Sequence, residues 1–180
     1  MGLRFPPSGF TDATAARGGV AYASWLRRGG GLLIDGLLIW TIYILVSIAL
    51  SIFTAPLHVS LYMAHPTIAS ALLGIGLIEA IAVVYATACL TKLHGQTPGM
   101  RTLQIRCAPA AGRGSLSTPQ ALTRSLTAAA VSVVPWIFLS RFWFLVLVYL
   151  GAYLWPLIHT RRQTWWDFLA ATVVVDDRGW

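Results

Sequence analysis

Two long apolar runs in the first half of the chain predict helices that cross a membrane. Residues 32–56 and 68–90 are almost wholly apolar, and each run contains a single acidic residue. A helix needs about 20 apolar residues to span the hydrocarbon core of a bilayer, so both runs are long enough. We expect a first helix over residues 25–54, ended by Pro56, and a second helix over residues 67–92.

The second half of the chain mixes apolar and polar positions and predicts shorter elements. Residues 101–107 alternate in the manner of a short strand, and the β-branched stretch 172–175 is expected to pair with it. A third helix is expected over residues 119–139, with Thr118 as its cap and a kink or interruption at Pro135.

The apolar region at 126–158 is too long for one simple crossing, because it would form roughly 50 Å of helix at 1.5 Å per residue. It also contains Arg141, so we favour two short segments that meet there, with a single crossing as the alternative. The second segment covers residues 142–158, and residues 164–171 predict a short amphipathic helix. The fold class is therefore an all-α membrane protein: a small helical bundle with two full transmembrane helices, a proline-kinked third helix, a further apolar helix and short cytoplasmic β-like segments.

Composition agrees with a membrane protein and predicts its orientation. Hydrophobic residues make up 57% of the chain and charged residues only 11%, whereas a soluble domain carries about 25% charged residues. The net charge of +7 does not indicate nucleic-acid binding, because the basic residues flank the apolar runs. They occur before the first helix and over residues 92–124, whereas residues 55–67 carry none. We therefore expect a multi-pass plasma-membrane protein, surrounded by the lipid bilayer, with both termini in the cytoplasm.

The chain shows no internal repeat and no second domain. We divide it into a cytoplasmic amino-terminal tail at 1–24, a transmembrane domain at 25–175 and a carboxy-terminal tail at 176–180. The pair His58 and His65 lies in the loop between the first two helices, where interfacial polar residues are the ordinary explanation and a metal site is the alternative. No nucleophile, metal-site or nucleotide motif is present, so we expect no enzyme activity, no metal and no cofactor.

Charged residues inside apolar runs are the best candidates for function. Asp35 and Glu79 lie within the first and second runs, Asp167 follows the last one, and Arg28 precedes Asp35 by seven residues. A charge in hydrocarbon costs several kcal/mol, so it persists only with a partner or a function. Arg28 and Asp35 share a helix face but lie roughly 10 Å apart, too far for an easy direct pair.

Three stretches of the sequence match one known pattern. They are Arg-Gly-Gly-Gly-Leu-Leu-Ile-Asp-Gly from Arg28, Gly-Gln-Thr-Pro-Gly-Met-Arg at 95–101, and residues 163–175. Together they resemble the RDD family of small bacterial membrane proteins, named for one arginine and two aspartates, over residues 22 to 175. The motif positions of the second and third stretches are Gly95, Gln96, Thr97, Gly99, Arg101 and Thr172.

The resemblance implies that Arg28, Asp35 and Asp167 are the arginine and the two aspartates of the family. This chain departs from the family at Met100, where a lysine is usual, and at Trp166, where a histidine is common. Some members of the family are linked to cation/proton exchange, and others resemble accessory subunits of membrane assemblies. The resemblance therefore indicates the type of protein more closely than its activity.

The first functional hypothesis is a structural clamp. Arg28 pairs with Asp167 near the inner surface of the membrane, while Asp35 accepts hydrogen bonds from Thr97, Gln96, Thr172 or the backbone. Such a protein is a non-catalytic accessory or scaffold subunit of a membrane transport or envelope assembly. Its partners are other membrane proteins or further copies of itself.

The second hypothesis is ion or proton translocation. Asp35 and Glu79 lie at different depths, so they are able to pass a proton between them or to coordinate Na⁺. Arg141 is then the candidate partner of Glu79, if the turn between the two apolar segments stays within the bilayer. The alternative function is thus a small cation/proton antiporter that uses these intramembrane carboxylates.

Overall fold

Six helices and one small sheet form the described part of the chain. The computed structural model describes residues 21–62, 68–111, 114–138, 145–157 and 163–179. The helices are α1 (Trp25–Tyr62), α2 (Ile68–Lys92), α3 (Pro98–Thr102), α4 (Thr118–Phe138), α5 (Leu145–Leu154) and α6 (Trp165–Leu169). The strands are β1 (Ile105–Pro109) and β2 (Thr172–Asp176), and short 3-10 turns follow α5 and β2 at Trp155–Leu157 and Asp177–Gly179.

Parts of α1 and α2 are long and apolar enough to cross a membrane. These segments are Trp25–Phe53, with a mean hydropathy of 2.3, and Leu72–Lys92, with a mean hydropathy of 2.0. Apolar side chains along them are exposed, and Phe53 keeps 85% of its surface accessible. Contiguous apolar surface of this kind is unfavourable in water and favourable against lipid. The prediction of a second helix over 67–92 is confirmed, because α2 covers almost the same residues.

The predicted end of the first helix at Pro56 is wrong. The helix continues through this residue to Tyr62. Proline removes one backbone donor, but membrane helices tolerate it where neighbouring groups satisfy the freed carbonyl. In the same way Pro135 does not interrupt α4, which runs unbroken to Phe138.

The cap of α4 lies one residue earlier than predicted. The Ser117 hydroxyl accepts a hydrogen bond from the Gln120 backbone N–H at 3.4 Å, and Gln120 Oε1 accepts one from the Ser117 backbone N–H at 3.2 Å. This reciprocal arrangement satisfies two of the free donors at the start of a helix. Ser117 therefore caps α4, and Thr118 is its first helical residue.

The strand predicted over 101–107 is displaced towards the carboxy terminus. Thr97 accepts a hydrogen bond from the Met100 backbone N–H at 3.2 Å, and Pro98 takes the first helical position. These two signals start a helix, and they override the alternation of apolar and polar residues. The strand forms instead as β1, which pairs antiparallel with β2 from Ile105 opposite Asp176 to Pro109 opposite Thr172. The predicted pairing of the two segments is confirmed.

A short segment before α1 lies alongside the sheet. The Ala23 backbone N–H donates to the Val174 carbonyl at 3.0 Å, and the Asp176 N–H donates to the Ala21 carbonyl at 2.8 Å. Residues assigned by sequence to the two tails thus meet beside β2. A buried core joins this sheet to the end of α2, and its members are Ala23, Leu90, Met100, Ile105, Cys107, Leu116, Ala121 and Val174.

Candidate functional site

Arg28 and Asp167 meet in the buried region between the start of α1 and α6. Arg28 Nη1 lies 3.4 Å from Asp167 Oδ2, and the two side chains are 9% and 1% exposed. Arg28 also donates to backbone carbonyls, from Nε to Ala23 at 3.3 Å and from Nη2 to Val174 at 3.0 Å. The pairing expected between these two residues is therefore present, and the same guanidinium holds the segment before α1 against β2.

Arg124 of α4 is a second cation on the same carboxylate. Its Nε lies 2.8 Å from Asp167 Oδ1. The sequence analysis placed Arg124 only within the predicted third helix and did not predict this contact. The available signal was its spacing from Ala121, which is buried, because residues three apart share a helix face.

Asp167 is also the acidic member of a helix cap. Thr164 caps α6 by accepting a hydrogen bond from the Asp167 backbone N–H at 3.3 Å, and Asp167 Oδ2 accepts one from the Thr164 backbone N–H at 3.2 Å. Burial favours the neutral acid, but Arg124, Arg28 and the Thr164 hydrogen bonds outweigh it and hold the pKa of Asp167 below its usual range. The carboxylate is therefore ionised, and it binds two arginines at once.

Asp35 is buried beside a different set of donors. Its Oδ2 accepts a hydrogen bond from Thr97 Oγ1 at 2.5 Å, and its Oδ1 accepts from the Gly99 backbone N–H at 2.9 Å and from the Tyr85 hydroxyl at 2.8 Å. Among the described residues no arginine or lysine pairs with this carboxylate. Three neutral donors from α2 and from the turn that starts α3 thus hold Asp35 of α1.

Two of the donors expected for Asp35 bind elsewhere. Gln96 Nε2 donates to the Ile105 carbonyl at 3.2 Å and to Asp177 Oδ2 at 3.1 Å, so the residue joins the turn to β1 and to the carboxy terminus. Thr172 Oγ1 donates to the Asp167 carbonyl at 3.3 Å, because it lies at the start of β2 just after α6. The expectation that Gln96 or Thr172 binds Asp35 is therefore wrong, whereas Thr97 and the backbone were expected correctly.

Glycines bring α3 against α1. A Cβ at Gly99 would stand 2.2 Å from the Gly31 carbonyl oxygen and 2.9 Å from Asp35 Oδ1. A Cβ at Gly30 would stand 2.8 Å from Leu103 Cδ1. Gly30 and Gly31 of α1 are thus a packing notch, and it lets the Gly99 backbone N–H reach the buried carboxylate.

Glu79 lies apart from this cluster, between α2 and α4. Its Oε1 accepts a hydrogen bond from Ser132 Oγ at 2.6 Å. Ser132 also donates to the Ala129 carbonyl at 2.8 Å, so one hydroxyl is shared between two acceptors.

Arg141, the candidate partner of Glu79, lies outside the described residues, as does His65. Arg101 is exposed on α3 and does not join the buried cluster.

Ion pairs also fix the carboxy terminus, which sequence reasoning treated as a tail. Arg27 Nη1 lies 2.7 Å from Asp176 Oδ2, and Arg106 Nε lies 2.9 Å from Asp177 Oδ1. Hydrogen bonds from Arg178 are the main reason that the pKa of Asp176 falls to about 2. Asp176 and Asp177 are therefore tied by ion pairs to α1 and β1.

The buried ion pairs and hydrogen bonds hold distant segments of the chain together. In the part of the chain that the structure describes, no three histidine, cysteine, aspartate or glutamate side chains are grouped in a way that suits a metal ion. Trp166, which precedes Asp167, is buried and packs edge-on against the Tyr153 ring with centroids 4.8 Å apart. An indole does not relay protons, so this position serves packing.

Comparison with protein-family models identifies the family of the chain. The model of the RDD family matches residues 22–171, a range that includes Arg28, Asp35 and Asp167. No curated protein and no solved structure matches the chain.

Proposed function

Because this chain belongs to the RDD family of membrane proteins, we propose that it is a non-catalytic accessory or scaffold subunit of a membrane transport or envelope assembly. In this proposal it is a multi-pass protein of the bacterial plasma membrane with both termini in the cytoplasm. The carboxy-terminal residues and the segment before α1 meet beside β2, which supports placing the two termini on one side.

The observation that carries this proposal is that both carboxylate oxygens of Asp35 and both of Asp167 bind groups from other segments of the chain. Asp167 Oδ1 and Oδ2 bind Arg124 and Arg28, which come from α4 and α1. Asp35 binds α2 and the start of α3. Removing one partner of a buried ion pair costs about 3–5 kcal/mol, so such contacts fix a shape. A fixed shape suits a subunit that presents a surface to others.

The exposed faces of α1 and α2 are the proposed contact surface for other membrane proteins or a second copy. Leu33 and Leu37 keep 73% and 70% of their surface exposed on α1. Gly31 and Gly30 already pack against α3 and Leu103, whereas a Cβ at Gly29 would meet nothing within 4 Å. Gly29 is therefore the glycine of this run that remains available for close approach by another helix.

A site-specific cross-linking experiment tests the scaffold role. A photo-reactive amino acid at position 37 in native membranes should give a discrete adduct with another membrane protein or with a second copy. The matched control carries the same group at position 90, where Leu90 is fully buried. Cross-linking only to lipid at position 37, together with ion exchange by the purified chain, would overturn the proposal.

A second candidate, a small cation/proton antiporter, is supported by the surroundings of Asp35 and Glu79. Both carboxylates lie in the apolar spans, and their hydrogen-bond donors among the described residues are neutral. The test is purified protein in liposomes that enclose a pH-sensitive dye, challenged with Na⁺ or K⁺. Cation/proton exchange that is lost in the Asp35→Asn and Glu79→Gln variants, and kept in the Asp176→Asn variant, supports the antiporter. Absence of exchange in the wild type excludes it.

A further inference from the structure

We propose that the basic pocket at the end of α2 binds the phosphate group of an anionic phospholipid. The pocket has a volume of about 400 Å³, and its charged and titratable lining consists of Lys92, His94, Arg101, Arg106 and Asp177. This inference is independent of the scaffold role, because it uses none of the residues of the buried clamp.

The pocket lies where lipid headgroups are expected. Lys92 is the last residue of the apolar span Leu72–Lys92, so its ammonium group stands at the boundary of the hydrocarbon. Leu93 follows it with 38% of its surface exposed and also lines the pocket. A cation beside an exposed apolar side chain suits a ligand that has both a phosphate and an acyl chain.

The charges in the pocket favour an anion. Lys92, Arg101 and Arg106 supply three positive charges and Asp177 one negative charge, a balance of +2. Asp177 already binds Arg106 at 2.9 Å. Within the described residues neither Lys92 nor Arg101 has a carboxylate partner. Basic side chains at the membrane surface attract anionic lipids, and the arginine fork matches phosphate geometry.

The wall of the pocket is rigidly built. His94 and Gly95 adopt left-handed backbone conformations, with φ of 53° and 83°, that turn the chain sharply after α2. The Gly95 N–H donates to the Leu90 carbonyl at 2.9 Å, and its carbonyl accepts from the Cys107 N–H at 2.8 Å. A Cβ at Gly95 would stand 2.2 Å from the Cys107 carbonyl oxygen.

Gln96 completes the wall. Its buried amide donates to both the Ile105 carbonyl and Asp177 Oδ2, and this second bond holds the carboxylate that positions Arg106. Gln96, Asp177 and Arg106 are therefore held against one another before any ligand arrives. Preorganisation of this kind reduces the entropic cost of binding.

The test uses the full chain in a neutral detergent, with binding measured by calorimetry and by native mass spectrometry. The probes are phosphatidylglycerol, phosphatidylcholine and inorganic phosphate. We expect phosphatidylglycerol to bind more tightly than phosphatidylcholine, and Lys92→Gln and Arg101→Gln each to weaken it roughly fivefold, since each basic residue contributes about 1 kcal/mol near a charged surface. Asp177→Asn should tighten binding.

Arg178→Gln is the matched control, because Arg178 is an exposed arginine that does not line the pocket. Competition by inorganic phosphate at millimolar concentration supports recognition of the phosphate group itself, and tighter binding of the lipid identifies the membrane as its source. Equal binding of phosphatidylcholine overturns the proposal. So does a loss of affinity in Arg178→Gln that matches the loss in Arg101→Gln.

Discussion

Gly99 of α3 lies directly against Gly31 of α1, and a Cβ on Gly99 would come within 2.2 Å of the Gly31 carbonyl oxygen. This close approach allows the Gly99 N–H to donate to Asp35 at 2.9 Å. A side chain at position 99 would separate the two helices, whereas a Cβ at Gly31 would lie 3.5 Å from the Gly99 carbonyl, an ordinary contact. The Asp35 hydrogen bond therefore depends on Gly99.

The first prediction concerns this contact. Gly99→Ala should lower the free energy of unfolding by about 1–3 kcal/mol, because an overpacked site forces the backbone to shift. Gly29→Ala is the matched control: a Cβ there meets nothing within 4 Å, so stability should be kept or slightly raised. Thermal unfolding of detergent-solubilised protein measures both. Equal stability of the two variants would contradict the assigned packing.

The second prediction concerns the shared carboxylate. Asp167→Asn removes the charge that Arg28 and Arg124 both bind, whereas Arg28→Met leaves Asp167 bound to Arg124. We therefore expect the aspartate substitution to cost about 3–5 kcal/mol, and more than the arginine substitution. Arg178→Gln, at an exposed arginine, should have little effect. Unfolding midpoints and accumulation in the membrane rank the stability of the three variants. A greater loss of stability in Arg28→Met than in Asp167→Asn would rule out the shared ion pair.

The third prediction is a loss of stability in acid. The folded-state pKa of Asp167 lies below its unfolded value, so its contribution is complete above about pH 4 and disappears as the pH falls through the folded-state pKa. The pKa of Asp176 is lowered from its ordinary value of 3.8 to about 2, so this carboxylate also loses its stabilising contribution as the pH falls between those two values.

The acid effect is measured by unfolding midpoints between pH 7 and pH 2. The wild type should lose stability over this range, and Asp167→Asn should show a shallower dependence because it has no proton to bind at that position. An unchanged pH profile in Asp167→Asn would mean that other carboxylates account for the acid sensitivity.

The fourth prediction separates the donors of Asp35. Tyr85→Phe removes one hydrogen bond to the carboxylate, so it should cost about 1.5–3 kcal/mol, as hydrogen bonds to charged groups do. Thr97→Val removes the bond to Asp35 and also the cap of α3 at the Met100 N–H, so it should cost more. The rate of backbone amide hydrogen exchange at residues 98–102 should rise in the Thr97→Val variant and stay close to the wild-type rate in the Tyr85→Phe variant. Equal exchange in the two variants would contradict the capping role.

The sequence was sufficient to predict the apolar spans, because a long apolar run has few alternatives to a helix that crosses a membrane. It also predicted the Arg28–Asp167 pair, since a charge beside lipid requires a counter-charge and the chain has few acids. Arg124 and Tyr85 were missed because neither breaks the local pattern: an arginine on an amphipathic helix and a tyrosine in an apolar helix are ordinary. Their roles depend on how the helices pack.

Local patterns were misleading where two signals competed. Alternation over 101–107 suggested a strand, but Thr97 and Pro98 start a helix just before it and delay the strand to Ile105. Pro56 suggested a helix end, yet α1 continues past it. In each case the secondary structure depended on neighbouring groups whose positions in the fold are not given by the order of the residues.

The order of synthesis gives the Arg28–Asp167 pair a consequence for how the protein is made. The ribosome adds Asp167 139 residues after Arg28, an interval of roughly 7 to 30 s at 5–20 residues per second. During that interval Arg28 has been made, but the carboxylate that pairs with it has not. A chain truncated before residue 167 cannot form this salt bridge, so the buried contact between the start of α1 and α6 is completed only late in synthesis.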